Sequence, residues 1–401
     1  MKIGYSYWGY LGDVKYDKNG DMASTPDGNA FYSWSIINQL LKDGHEVIQI
    51  MPDRDIVGYS KNVEDIFRSW CTFDRFKAYT CMKALYSETN IDWLRITEKE
   101  LFEIWDREKV NECSVILHEF RMLIPGRNDE DTKKIGLKCY QPDLFIQRCL
   151  FKYCGLHNIK IILFDLDYKV DKETFHMLKN RLDIYLFELG NKWEKHPSMK
   201  GRGVITKHVE IPFDFSHIND LHIKDNVQCT KKLVYIGNRY ERDWCIDKYI
   251  PTEIKGVKVF GNWNESGRDS KERWPNINFG NRLQTRDMYY EYSTSLCTVL
   301  LAKKEYLENS FMTARIIEAV FYGCVPLFIE EYGEECIEKY AGNFANDLTV
   351  RSKSDIIDMI YWLNNNEDYR KNCISYLREH LAFMDVKGFV NEIYNVIDSE
   401  V

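Results

Sequence analysis

Arg315 and Glu318 lie three residues apart in FMTARIIEAVFYGCVPLFIEE, residues 311–331, just before a Gly turn and an apolar strand. Side chains at this spacing share a helix face, so the two project together, with Tyr322 continuing the stripe while Ile316 and Val320 face a core. A guanidinium can hold a diphosphate through paired hydrogen bonds, and a carboxylate can accept from ribose hydroxyls. This is the chemistry of a nucleotide-sugar site. The same pair can also be a solvated ion pair on an amphipathic helix, so the surrounding sequence has to decide.

Two further segments place anion-suited groups where strands end. In YIGNRYERD, residues 235–243, a strand runs into Gly237 and Asn238, with Arg239 and Arg242 near a helix start. Backbone N–H groups, helix dipole and guanidinium could meet one anion there. VFGN, residues 259–262, is a second strand-to-turn step, at Gly261. Upstream, ILFDLDYKVD sets Asp165 and Asp167 at a strand end, on one side of it. An ionised carboxylate there can serve as general base on an acceptor hydroxyl, although Asp at a strand end is also a common cap or turn residue. Glu119, Arg121, Arg127 and Asn128 in HEFRMLIPGRN flank a Pro-Gly turn and suit a cleft-lining loop or an ion-paired turn. Asp27 and Asn29 in TPDGNAFY open the first helix, as cap or as acceptor contact.

The elements that must position these groups alternate. Strands are expected at residues 2–7, 46–51, 114–117, 159–164, 184–189 and 209–211, mostly separated by helical patterns such as 29–42 and 143–153. After a polar stretch at 213–231, strands recur at 233–237, 257–261, 297–302 and 325–329, with helices from 242 and at 286–294 and 313–322. Such alternation signals parallel sheets, so an α/β chain of two doubly wound, Rossmann-like units is expected, with ligands at the carboxyl ends of the strands. The expected boundaries are 1–222 for an acceptor-binding domain, 223–384 for a donor-binding domain, and 385–401 for a C-terminal helix that returns to brace the first.

At 401 residues the chain exceeds the usual size of one core. It has no apolar stretch of bilayer length and no apolar leader, so a cytoplasmic protein without a membrane partner is expected, and a monomer. Twelve cysteines are scattered without metal-site spacing and read as reduced core thiols. A net charge of −8 argues against nonspecific coating of nucleic acid, while Lys133, Lys134 and Lys138 leave room for a local basic groove. Neither a GxxxxGK[ST] loop nor a GxGxxG fingerprint follows a strand, which disfavours phosphoryl transfer and nicotinamide chemistry.

These segments resemble, in order over most of the chain, the bacteriophage DNA beta-glucosyltransferases, a family with the GT-B fold. The family's Gly-Ser turn and two phosphate-binding arginines look like Gly237, Asn238, Arg239 and Arg242, with a shorter gap between the arginines. Its Phe-Gly-Asn matches Phe260, Gly261 and Asn262, and its Phe-Ile-Thr-Leu-Arg-x-x-Glu is similar to Phe311 through Arg315 and Glu318. A backbone contact to uracil would fall at Leu283, and the family's conserved Tyr at Tyr306. QPDLFIQRCLFKY followed by IILFDLD resembles the helix and strand that deliver the catalytic Asp, which places it at Asp167, with Asp165 the other candidate. The chain departs from the family at Asn29 and at Lys303, where acidic residues are usual.

The resemblance implies inverting transfer of glucose, or of arabinose or another pentose, from a UDP-sugar to the hydroxymethyl group of hydroxymethylcytosine or hydroxymethyluracil in double-stranded DNA. It implies base flipping, the cytoplasm of an infected bacterial cell, and no required cofactor; a divalent cation, Mg or Mn, beside the diphosphate is compatible with it. The alternatives are a GT-B transferase acting on a surface glycan or protein, and a noncatalytic nucleotide- or DNA-binding module.

Overall fold

The computed structural model describes residues 1–6, 28–50, 76–77, 97–119, 140–165, 170, 178, 181–192, 205–215, 228–264, 269–283 and 285–399. Asp27, Arg121, Arg127, Asn128 and Asp167 lie outside them, as does the side chain of Asn29. The chain divides into two compact units at Phe213 and Asp214, and Val386–Val401 rejoins the first.

The first unit is built on seven parallel strands in the order β3-β2-β1-β4-β5-β6-β7. They are β1 Lys2–Ser6, β2 Glu46–Gln49, β3 Phe76–Lys77, β4 Val115–Glu119, β5 Lys160–Asp165, β6 Ile184–Leu189 and β7 Ile205–Val209. VILHE, KIILFD and IYLFEL are nearly continuous apolar runs because both faces of the sheet are covered. On one face, helices α2 (Glu98–Arg107) and α3 (Tyr140–His157) close a core around Trp105, Leu150 and Tyr153. α2 starts on a capping box in which Thr97 and Glu100 satisfy each other's backbone N–H groups.

The other face carries α1 (Gly28–Lys42) and the last helix, labelled α9 (Val386–Asp398), which packs on α1 and β5. Phe389 of α9 lies edge-on to Phe164 and Phe187, at 4.8 and 5.5 Å. Lys160 at the start of β5 donates to the carbonyls of Val396, Ile397 and Ser399, closing the helix's carboxyl end. The returning C-terminal helix expected from the sequence is therefore present. The strand expected at residues 209–211 instead ends at Val209; ITKHV is a half-exposed edge strand without an apolar run to mark it.

The second unit repeats the plan with six parallel strands in the order β10-β9-β8-β11-β12-β13. They are β8 Lys231–Ile236, β9 Val257–Phe260, β10 Asn278–Gly280, β11 Ser295–Leu300, β12 Val325–Ile329 and β13 Thr349–Val350. Its helices include α4 (Asp243–Tyr249), α5 (Thr285–Ser293), α6 (Arg315–Phe321), α7 (Lys353–Asn365) and α8 (Glu367–His380). Each sheet reverses its strand order between its first and fourth strands, β1/β4 and β8/β11, the point at which doubly wound sheets bind ligands. Every described cysteine is free, and all but Cys229 are buried. No described helix is long and apolar enough to cross a membrane.

Candidate active site

At the switch point of the second unit, the ends of β8 and β9 are clasped together. Gly237 N–H donates to the Phe260 carbonyl at 2.9 Å, and Trp263 Nε1 donates to the Gly237 carbonyl at 2.7 Å. Asn262 Oδ1 accepts from Arg239 N at 2.8 Å while Asn238 Oδ1 accepts from Asn262 N at 3.3 Å. Gly261 sits at φ +141°, and a Cβ there would lie 2.2 Å from the Gly237 carbonyl oxygen. Only glycine allows this approach.

Arg315, the first residue of α6, reaches the same point. Its Nε donates to the Ile236 carbonyl at 2.7 Å, its Nη1 meets Thr313 Oγ1 at 3.5 Å, and its Nη2 makes no hydrogen bond among the described residues. The guanidinium is pressed against Gly237, where a Cβ would fall 2.6 Å from Nη2. Glu318 stands one turn on, and the two form no ion pair. Burial pushes the Glu318 carboxyl above its ordinary range, and the charge of Arg315 draws it part of the way back. Both side chains are half-buried. A guanidinium so placed without a carboxylate partner is expensive unless an anion meets it.

Leu283 packs in the cluster formed by Val234, Ile236, Tyr292, Ala319 and Tyr322, and so lies beside the helix that carries Arg315 and Glu318. Gly237, Asn238, Gly261, Leu283, Arg315 and Glu318 are thus brought to one strand-end region. Arg239 and Arg242 start from the same loop, but their side chains are committed elsewhere. Arg239 is held by Asp243, and Arg242, 5% exposed, donates to the carbonyls of Leu301, Asn238 and Tyr240. Arg242 thereby ties the loop after β8 to the end of β11. Tyr306 packs edge-on against Phe311 at 4.5 Å, beneath the Lys303 ammonium at 4.3 Å from its ring.

In the first unit, polar groups collect at the carboxyl ends of β1, β4, β5 and β6. Ser6 pairs with His118, and Asp165 with Glu188, in register. His118 Nε2 donates to Gln147 Oε1, so its Nδ1 accepts from the Ser6 hydroxyl at 2.7 Å; all three residues are fully buried. Glu119, 3% exposed, is on the opposite face of β4 from His118. Asp165 is fully buried and accepts the Val170 N–H at 3.0 Å. Sequence reading passed over the His118 group, whose only signal is a polar residue inside an apolar strand.

Among solved structures, T4 phage beta-glucosyltransferase matches with a TM-score of 0.59 at 14% identity, over 100% of both chains. The fold is that of the phage DNA glucosyltransferases. An alpha-glucosyltransferase in complex with UDP and a 13-mer DNA containing an HMU base matches at 0.58 and 12% identity over 99% of both chains. HepE of Anabaena, in complex with UDP-glucose, matches at 0.56 and 10% identity over 100% of both. No protein-family model matches the sequence, and the comparison with curated proteins gives no significant match. At these identities the likeness is one of fold: GT-B, with two Rossmann-like units.

Proposed function

We propose that this chain is a UDP-sugar-dependent glycosyltransferase. The observation that carries the reading is Arg315: a half-buried guanidinium at the switch point, with Nη2 unused and no carboxylate partner among the described residues, followed one turn later by Glu318, which has no side-chain partner among them. Arg315 holds the diphosphate, Glu318 accepts from the ribose hydroxyls, and Leu283 lies against the uracil. Arg239 and Arg242 shape the loop rather than bind the donor. The shared fold with proteins solved with UDP-glucose supports the same assignment.

The acceptor we propose is the hydroxymethyl group of a modified pyrimidine in double-stranded DNA, flipped out of the stack, and the sugar first to be tried is glucose. Asp167 takes the hydroxymethyl proton and the freed oxygen attacks the anomeric carbon on the face opposite UDP. The bond from that carbon to the diphosphate oxygen breaks, configuration inverts, and UDP leaves with its added charge against Arg315. Asp165, two residues earlier, accepts from the Val170 N–H. A divalent cation, as in the complex of the T4 enzyme with UDP and Mn2+, would be held mainly by diphosphate oxygens, because no cluster of His, Cys, Asp and Glu among the described residues is arranged for one.

Asn29 and Lys303, where the family carries acids, favour a second acceptor class, a glycan or protein; Lys303 here is paired with Glu305 at 3.2 Å. One assay separates the readings: radiolabelled UDP-sugars with duplex DNA containing hydroxymethylcytosine, hydroxymethyluracil or cytosine. Label confined to modified DNA is the expected result. UDP-sugar hydrolysis without DNA labelling supports the second acceptor class, and absence of both turnover and UDP binding overturns the donor site.

A further inference from the structure

Three phenolic hydroxyls in the second unit, those of Tyr235, Tyr292 and Tyr332, have no hydrogen-bond partner among the described residues. Their side chains are deeply buried, at 0%, 0% and 3% exposure. Burying a hydroxyl unmatched is unfavourable, so three in one neighbourhood call for a common reason. Arg315 is that neighbourhood: its charge interacts with all three, and its Nη2 is unmatched as well.

Tyr235 is the most closely placed. Alternate residues of a strand share a face, so Tyr235 and Gly237 point the same way at the end of β8. A Cβ on Gly237 would lie 2.6 Å from the Tyr235 hydroxyl, 2.6 Å from Arg315 Nη2 and 2.7 Å from Arg315 Nε. The phenol and the guanidinium therefore close on one point, an approach that any side chain at residue 237 would block. The Arg315 guanidinium carbon stands 5.6 Å over the Tyr235 ring. Two adjacent donors without acceptors suit a ligand that presents adjacent anionic oxygens, and a phosphate does so.

We propose that Tyr235 is a direct ligand of the donor's diphosphate, its hydroxyl donating to a phosphate oxygen beside the one held by Arg315. The proposal rests on the UDP-sugar reading and adds to it a neutral donor that the Gly-turn arginines do not supply. The competing roles for the hydroxyl are to accept from Arg315 and merely orient it, or to hold an ordered water.

The test is Tyr235→Phe, which keeps the ring and deletes only the hydroxyl. UDP, inorganic pyrophosphate and uridine are titrated calorimetrically into both proteins. UDP and pyrophosphate should weaken by about ten- to a hundredfold, as for a lost hydrogen bond to a charged group, with uridine unchanged. The unliganded Tm should be equal or higher, since an unmatched buried hydroxyl has gone. The double variant Tyr235→Phe/Arg315→Ala, measured by competition, should bind UDP more weakly than Arg315→Ala alone; equal affinities would reduce Tyr235 to a positioning residue and overturn the proposal. Full UDP affinity in Tyr235→Phe would overturn it too while leaving the donor site standing, whereas a wild-type protein that binds no UDP would overturn both.

Discussion

Arg239 and Asp243 form a bidentate pair, Nε to Oδ1 at 2.7 Å and Nη2 to Oδ2 at 2.6 Å. Asp243 also accepts from Arg273 Nη1 at 2.9 Å, and the Arg239 guanidinium lies 5.4 Å from the Trp274 ring centre. With its side chain 13% exposed, Arg239 is part of the wall after β8. Arg239→Ala should therefore cost about 1–3 kcal/mol of stability, because it removes a bidentate partner from a partly buried carboxylate that keeps Arg273, yet change UDP affinity by well under tenfold. Urea denaturation and calorimetry measure the two effects. A UDP loss as large as that of Arg315→Ala would mean that the pair opens and Arg239 turns onto the diphosphate.

The pairing of Arg239 with Asp243, where the sequence suggested a diphosphate contact, has a physical reason. Arg239 and Asp243 are four apart, the spacing of an intramolecular pair, and Asp243 competes for the guanidinium at no cost in chain entropy. Arg315 has no such competitor among the described residues, and its three-residue spacing to Glu318 sets the two one helical turn apart, as expected. β4, β5 and β6 were legible because strands buried on both faces must be apolar throughout. The edge strands Ile205–Val209 and Asn278–Gly280 were not, since half-exposed or three-residue strands carry no period. Tyr235 emerges only once Gly237 and Arg315 are placed together, because its significance lies in a contact with Arg315, which is distant in sequence.

Glu318 gives a pH signature with a definite sign. Burial raises its carboxyl above the ordinary range of a glutamate, and Arg315 opposes the rise. A folded-state value above the unfolded one means that the native protein binds more protons between the two, so stability falls as pH rises through that window. UDP binding runs the other way: ribose hydroxyls are accepted best by the carboxylate, and affinity should fall on acidification at a higher pH than for a free carboxyl. Glu318→Gln should flatten both profiles, and Arg315→Met, which removes the opposing charge, should move the Glu318 titration further up. Carboxyl-resolved NMR titration reads this directly; a Glu318 midpoint at or below that of an exposed glutamate would contradict it.

Gly237 and Gly261 should fail differently. Gly237→Ala inserts a methyl group against side-chain atoms of Arg315 and Tyr235, which can swing away. It should cost about 1–3 kcal/mol of stability and displace the guanidinium, so UDP affinity falls with the fold kept. Gly261→Ala drives a Cβ into the backbone carbonyl of Gly237 at a φ of +141°, where neither side can yield. A loss on the order of 3–5 kcal/mol is expected. Parallel urea melts order the two, and equal stabilities would show that the clasp between β8 and β9 is slack.

Asp165 and Asp167 should separate by what each leaves intact. Asp165 is fully buried, and the Val170 N–H at 3.0 Å commits its Oδ2 to the backbone. Asp165→Asn keeps the size of the side chain, and its amide oxygen can still accept from Val170. Transfer should fall modestly, roughly tenfold or less, together with a stability loss of about 1 kcal/mol. Asp167→Asn removes the proposed base and should lower transfer by about a hundredfold or more, with stability and UDP affinity unchanged. Single-turnover transfer, UDP calorimetry and thermal melts on both variants decide the matter. A larger transfer loss in Asp165→Asn than in Asp167→Asn, at equal stability, would make Asp165 the base.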